Sequence, residues 1–309
     1  MNAPRIRAVE TATKKTGPRR RKILTEINLR KLSEEGRLLC RRGQYQKAER
    51  ALQCALQNSV ALFGKDGVQT CVAWNDYAVL CKDTGQFSRA EKIYRRVLKT
   101  LLSTGAANDS DVATIYHNLG GLEHARGRHA RGEPFARAAV RIRKRALGAN
   151  DTAVAADEVA LGAILDGLGK HLEAQRLYRR ALRIFRAATS PDVYEIAVVL
   201  NNLAASNQVT GHLDAAERCY QEALDLKEKL FGRMHVDVAL TLNNLALLYK
   251  IRGQRERAAA YYQRALSILQ RALSSRHPKV VICRNNYAKL VRARAKSGRG
   301  GRNYRAAQP

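Results

Sequence analysis

Three asparagine pairs, Asn201/Asn202, Asn243/Asn244 and Asn285/Asn286, recur every 42 residues in this 309-residue chain. A side-chain amide carries two donors and a carbonyl acceptor, so a row of such pairs can hydrogen-bond a peptide backbone whatever its side chains. Seven residues after the first member of each pair, two turns along the same helix face, stand Gln208, Lys250 and Arg292. The two cations add a preference for carboxylates. Asn201, Asn202, Asn243, Asn244, Lys250, Asn285 and Arg292 are therefore the candidate ligand-binding residues. Earlier periods carry Asn75/Asp76 with Lys82, His117/Asn118 with His124, and Val159/Ala160 with Asp166. The row is thus broken at Val159 and Ala160. Either an apolar pocket lies there, or ligand contact is confined to the later periods. A competing reading gives one Asn of each pair to a neighbouring helix, where it holds the repeats in register as a satisfied polar group.

Other chemistry is thinly represented. His117 and His124 share a helix face but have no cysteine or carboxylate at metal-site spacing. Six cysteines are scattered without a CxxC pair, as expected of buried thiols in a reducing compartment. The sequence lacks a glycine-rich phosphate loop, GxSxG and HExxH. The expectation is a non-enzymatic protein with no metal and no cofactor. No run of 18 apolar residues suits a membrane span, and the charged N-terminus lacks the apolar core of a secretory signal. A cytoplasmic location follows as the default.

The elements that would position the asparagines are set by a second periodicity. Glycine stands at 43, 85, 127, 169, 211 and 253, and five residues later comes Ala48, Ala90, Gly132, Ala174, Ala216 or Ala258. Gly accepts the left-handed backbone with which helices end, and small residues let two helix axes approach closely. Each period therefore reads as two helices, A before the glycine and B after it. The A helices are predicted near 27–41, 67–83, 109–125, 151–167, 192–209, 235–251 and 278–294. The B helices are predicted near 44–60, 86–102, 129–146, 170–186, 212–229 and 254–272. Pro134 forbids a regular helix interior, so helix B of the third period is expected to start late, near Glu133. Tyr94, Tyr178, Tyr220 and Tyr262 share one column of helix B and read as packing positions. The Arg residues beside them then face outward.

The segment LTLNNLALLYKIRGQRERAAAYYQRAL, Leu240–Leu266, resembles the tetratricopeptide repeat. LNNLA at Leu200–Ala204 and Leu242–Ala246, with Gly43-Gln44-Tyr45, Ala48-Glu49, Gly85-Gln86-Phe87 and Ala90-Glu91, is similar to the 42-residue variant in kinesin light chains and related scaffold proteins. The resemblance covers about residues 27–294. It implies an all-α fold, a right-handed α-α superhelix of six helix pairs closed by a C-terminal capping helix. It also implies that the middle of each A helix lines a concave groove whose polar residues hold a peptide. No segment outside the repeats resembles a kinesin heptad region, so motor binding is not implied.

Charge supplies the rest. The chain has 56 Lys+Arg against 27 Asp+Glu, a formal net charge of +29, which attracts an acidic partner. Residues 1–31 and 289–309 hold about half of that excess. Segments 1–25 and 296–309 are read as basic disordered tails flanking a repeat array at 26–295. The leading expectation is an adaptor whose groove binds an acidic or extended peptide of a partner protein. The alternative is a nucleic-acid-associated protein gripping phosphates through its tails and outward Arg residues. The sequence leaves the oligomeric state open.

Overall fold

The computed structural model describes residues 18–104 and 108–300, with side chains over 26–103 and 108–292. All regular structure there is α-helical: α1 Pro18–Arg41, α2 Tyr45–Phe63, α3 Val68–Asp83, α4 Phe87–Thr104, α5 Asp109–Ala125, α6 His129–Leu147, α7 Thr152–Gly167, α8 His171–Ala187, α9 Val193–Val209, α10 Leu213–Phe231, α11 Val236–Ile251, α12 Arg255–Ala272 and α13 Pro278–Gly300. Odd-numbered helices are the A helices and even-numbered ones the B helices, six pairs and a last A helix among the described residues. The chain divides at Asp111, in the first turn of α5, into two compact units.

One backbone device ends every paired A helix. At Gly211 φ is +83°, and the His212 N–H reaches back to the Asn207 carbonyl at 2.8 Å. This six-to-one bond consumes a carbonyl that the helix end would otherwise leave open. It recurs as Gln44 to Leu39, Gln86 to Cys81, Arg128 to Glu123, Lys170 to Leu165 and Gln254 to Tyr249. Because an L side chain in this conformation costs about 1–2 kcal/mol, Gly211→Ala is expected to destabilise the chain by that amount in urea unfolding. An unchanged midpoint would mean that the turn relaxes to another backbone. Two of the A helices start on aspartate caps: Asp151 accepts the Ala153 N–H at 2.7 Å, and Asp192 accepts that of Tyr194 at 2.9 Å.

The core lies between A and B helices of one repeat and the A helix of the next. Tyr94, Tyr178, Tyr220 and Tyr262 are fully buried, as their shared column predicts. In the second unit Tyr220, Leu242, Leu245, Ala246, Tyr249, Tyr262, Ile268 and Leu269 form one cluster, which α13 closes with Val280, Cys283 and Leu290. Small A-helix residues make room for the tyrosines. A Cβ on Gly162 would stand 2.6 Å from the Tyr178 ring.

Two expectations about boundaries need correction. Helix α6 begins at His129 rather than near Glu133 and carries Pro134 inside it. Pro134 removes a single helix bond, while the first turn is closed by Arg131 and Gly132 N–H groups on the Arg128 carbonyl. Packing then continues on both sides of the proline. A Cβ on Gly132 would meet the Gly120 carbonyl oxygen at 3.1 Å, and one on Gly120 would meet Ala136 at 3.3 Å. These glycines are close-approach positions, not breaks. Helix α1 starts at Pro18, inside the stretch 1–25 expected to be a tail, and α13 runs to Gly300, past 295. Proline suits a first helical position, and the Arg and Lys residues after it are good helix formers. The rest of the expected tails, 1–17 and 301–309, lies outside the described residues.

Candidate functional site

The asparagines of α9, α11 and α13 come together as a continuous chain of amides. Asn286 Nδ2 donates to Asn243 Oδ1 at 3.3 Å, Asn243 Nδ2 to Asn244 Oδ1 at 3.3 Å, and Asn244 Nδ2 to Asn201 Oδ1 at 3.4 Å. The second Asn of one repeat thus reaches the first Asn of the repeat before it. All four of these amides are half-buried. One amide holds two N–H donors and two lone pairs, so these bonds leave a donor and an acceptor on Asn201, Asn243 and Asn244. Register-holding and ligand-binding readings are therefore compatible in the same side chains.

Asn202 and Asn285 stand at the two ends of this chain. By the pattern of the row, Asn202 would donate to position 159, where Val159 offers no acceptor. Asn285 would accept from a further repeat after α13, and it is exposed. Lys250, two turns along α11, is half-buried, and Arg292 on α13 is exposed. The Lys250 ammonium makes no hydrogen bond or ion pair with the described residues, so its charge remains available to a ligand.

The earlier repeats use the same columns differently. Val159 is buried in the core cluster of its unit, so its side chain presents no open apolar surface at that break. His117 Nδ1 lies 2.8 Å from Asp157 Oδ1 across α5 and α7. Asp157 is buried, accepts from Arg143 Nε at 2.7 Å, and Arg143 also donates to Thr114 Oγ1 at 3.1 Å. Asp166, at the column of Lys250, is spent on structure: it binds Ser206 Oγ at 2.8 Å, Tyr178 OH at 3.0 Å and His171 Nδ1 at 2.9 Å. In the first unit, Asp76 is buried and paired with Arg37 at 2.6 Å. Burial raises its carboxyl above the usual carboxylate range, against the pull of Arg37. The amide-to-amide bonds described above run over α9, α11 and α13.

Several of these partners escape a reading that looks only at the asparagine columns. Ser206 stands where the other periods have Leu80, Leu122, Ile164, Leu248 and Leu290. Arg143 and Lys227 stand in a column with Leu101, Phe185 and Leu269, and Asp157 and Thr241 in one with Ile115, Val199 and Cys283. A polar residue in an otherwise apolar column is the available signal. Each of these five is buried.

Among the described residues no group of three or more His, Cys, Asp or Glu is placed to hold a metal ion. No described helix is long and apolar enough to cross a membrane.

A family model for the tetratricopeptide repeat matches residues 29–103, 111–187, 195–271 and 237–298. Comparison with curated proteins finds no match. Among solved structures, BtubC (BKLC) from P. vanneervenii is 23% identical, with 78% of this chain and 94% of that one covered and a TM-score of 0.53. NprR in complex with its cognate peptide NprX is 15% identical, with 98% and 82% covered and a TM-score of 0.63. The Cut9-Hcn1 hetero-tetramer of APC/C is 14% identical, with 85% and 42% covered and a TM-score of 0.59. At these identities the likeness is one of fold.

Proposed function

Because the chain belongs to the tetratricopeptide repeat family, we propose that it is a non-enzymatic adaptor whose A-helix face over α9, α11 and α13 binds an extended segment of a partner protein. The observation that carries this reading is the chain of half-buried amides from Asn286 to Asn201. Its unused donors and acceptors suit a peptide backbone, and a peptide backbone is common to every partner. Selectivity then falls to the groups beside it. Lys250 has no counter-ion among the described residues and Arg292 is exposed, so an acidic side chain or a terminal carboxylate is the preferred neighbour. NprR, which shares the fold, is described with a bound peptide, and that makes a peptide the first ligand class to test.

The test uses the full chain and an array of immobilised peptides, acidic and neutral, at physiological salt. Lys250→Glu with Arg292→Glu is expected to weaken acidic peptides by about 100-fold, the scale of two charged hydrogen bonds, and to spare neutral ones. Asn243→Ala is expected to weaken both classes together. Unchanged binding in both variants would remove the site from this face.

A further inference from the structure

We propose that the paired B helices α6 and α8 form a second, independent site: a basic ridge that takes the sugar–phosphate backbone of a nucleic acid duplex without reading its sequence. Helix α6 carries six Arg and Lys with Glu133 as its one acid, and α8 carries five Arg with Glu173 as its one acid. The two helices lie side by side in the same unit. Arg137 of α6 reaches Glu173 at 3.1 Å, and Lys170, just before α8, reaches Glu133 at 3.0 Å.

Internal pairing accounts for only part of this charge. Arg143 is buried on Asp157, Arg180 is held by Glu158, and Arg186 by Glu222 at 2.7 Å. Arg141, Lys144, Arg176, Arg179 and Arg183 are exposed and have no carboxylate partner among the described residues. Arg137, Arg141 and Lys144 follow at helical spacing along α6, as do Arg176, Arg179 or Arg180, and Arg183 along α8, so each set shares a face. Beside α6 runs a groove of about 540 Å³ lined by Arg137, Val140, Arg141, Lys144, Arg145 and Leu161. The field then reverses: α10 has Asp214, Glu217, Glu222, Asp225 and Glu228 against three cations. The ridge therefore ends at α10 on its C-terminal side.

The chemistry of the ridge favours phosphates over an acidic protein. Protein interfaces draw their affinity from buried aromatic and apolar anchors, and here the aromatic rings Tyr178 and Phe185 face the core while Phe135 stacks on Tyr116. With no exposed ring among the cations, stacking on unpaired bases has no platform either. What is left is a set of fixed, mostly guanidinium charges, suited to bidentate capture of phosphate oxygens. Binding of this kind is driven by counterion release and is indifferent to base sequence.

The test is fluorescence anisotropy of the full chain with a labelled 20-base-pair duplex, titrated at several salt concentrations. A variant with Arg141, Lys144, Arg176 and Arg183 all changed to Gln is expected to bind at least about tenfold more weakly at low salt. Its slope of log affinity against log salt is expected to shrink by about 3 to 4, near 0.9 for each phosphate that is no longer neutralised. The same decrement should appear when the arginines at 19–21, 299, 302 and 305 are also changed to Gln, which separates the ridge from the chain ends. Lys250→Glu with Arg292→Glu should leave duplex binding unchanged, so failure here and failure of the peptide reading are distinguishable. Equal affinity and slope in the four-residue variant overturns the proposal. So does tighter binding of a single strand than of the duplex, or a ridge that captures polyglutamate and leaves the duplex free.

Discussion

Asp157→Ala is expected to destabilise the protein by about 3–5 kcal/mol, because it leaves a buried guanidinium without its counter-charge. The carboxylate of Asp157 accepts from Arg143 Nε at 2.7 Å and sits 2.8 Å from His117 Nδ1, with its side chain 2% exposed. The bond from Arg143 to the Thr114 hydroxyl, a neutral partner, does not replace that charge. The native pair does not owe its presence to stability. Equivalent columns are filled by Phe185 and Val199 in the next repeat, and both of these lie in the hydrophobic core. Changing both members, Arg143→Leu with Asp157→Val, is therefore expected to return the urea midpoint to the wild-type value or above it, since well-packed apolar replacements of buried ion pairs are often neutral or better. The contrast between single and double variants is the measurement. A double variant as unstable as Asp157→Ala would show that the volume of the pair, not its charge, matters there.

Lys227→Leu with Thr241→Val is expected to stabilise the protein by about 1–4 kcal/mol. Lys227 occupies the same column as Arg143 two repeats later, but its partner is a hydroxyl, with Nζ 3.0 Å from Thr241 Oγ1. Burial pushes this amine below the ordinary lysine range; Asp237 opposes the shift and Lys279 adds to it. In the pH interval between the folded amine's lowered value and the ordinary value of an unfolded lysine, the unfolded chain binds more protons. Stability therefore rises as pH climbs through that interval and falls as pH drops through it. Below the interval the full penalty of a buried ammonium remains. The double variant should remove both the penalty and this part of the pH dependence. Thermal unfolding of the two proteins across mildly alkaline pH checks it: curves that stay parallel would mean that Lys227 does not change protonation on unfolding.

The repeat architecture was legible in the sequence because its causes are local. A glycine column at 42-residue spacing names the helix ends through backbone geometry alone, and the small-residue columns name the helix crossings. Tyr178 and Tyr220 are buried where their column places them. The side-chain partners were less legible, since a hydrogen bond from Asn244 to Asn201 or from Ser206 to Asp166 spans about 40 residues and depends on how adjacent A helices align. Asp166 shows the difficulty. It shares a column with Lys250, yet its carboxylate is consumed by three neighbours. Pro134 shows the opposite error, in which a local rule was outweighed by the packing of Gly132 and Ala136 against α5.

The six-to-one turns at Gly169 and Gly211 make the second unit modular in a literal sense. In each turn the six-to-one bond is made by main-chain atoms, so cutting out one full period between them, from Lys170 to Gly211, would join α7 to α10 through a connection of the same kind. The Arg143–Asp157 and Lys227–Thr241 pairs would both survive intact, while α8 and α9 would go, and with them Asn201, Asn202 and the ties of Asp166 to Ser206 and of Asn244 to Asn201. A cut one residue longer or shorter would instead turn every following helix by about 100°, sending the amides of Asn243 and Asn244 to a different side of α11. The chain can thus change its number of repeats in whole steps while the amides that remain on α11 and α13 stay aligned, and it has no tolerance for fractions of a step.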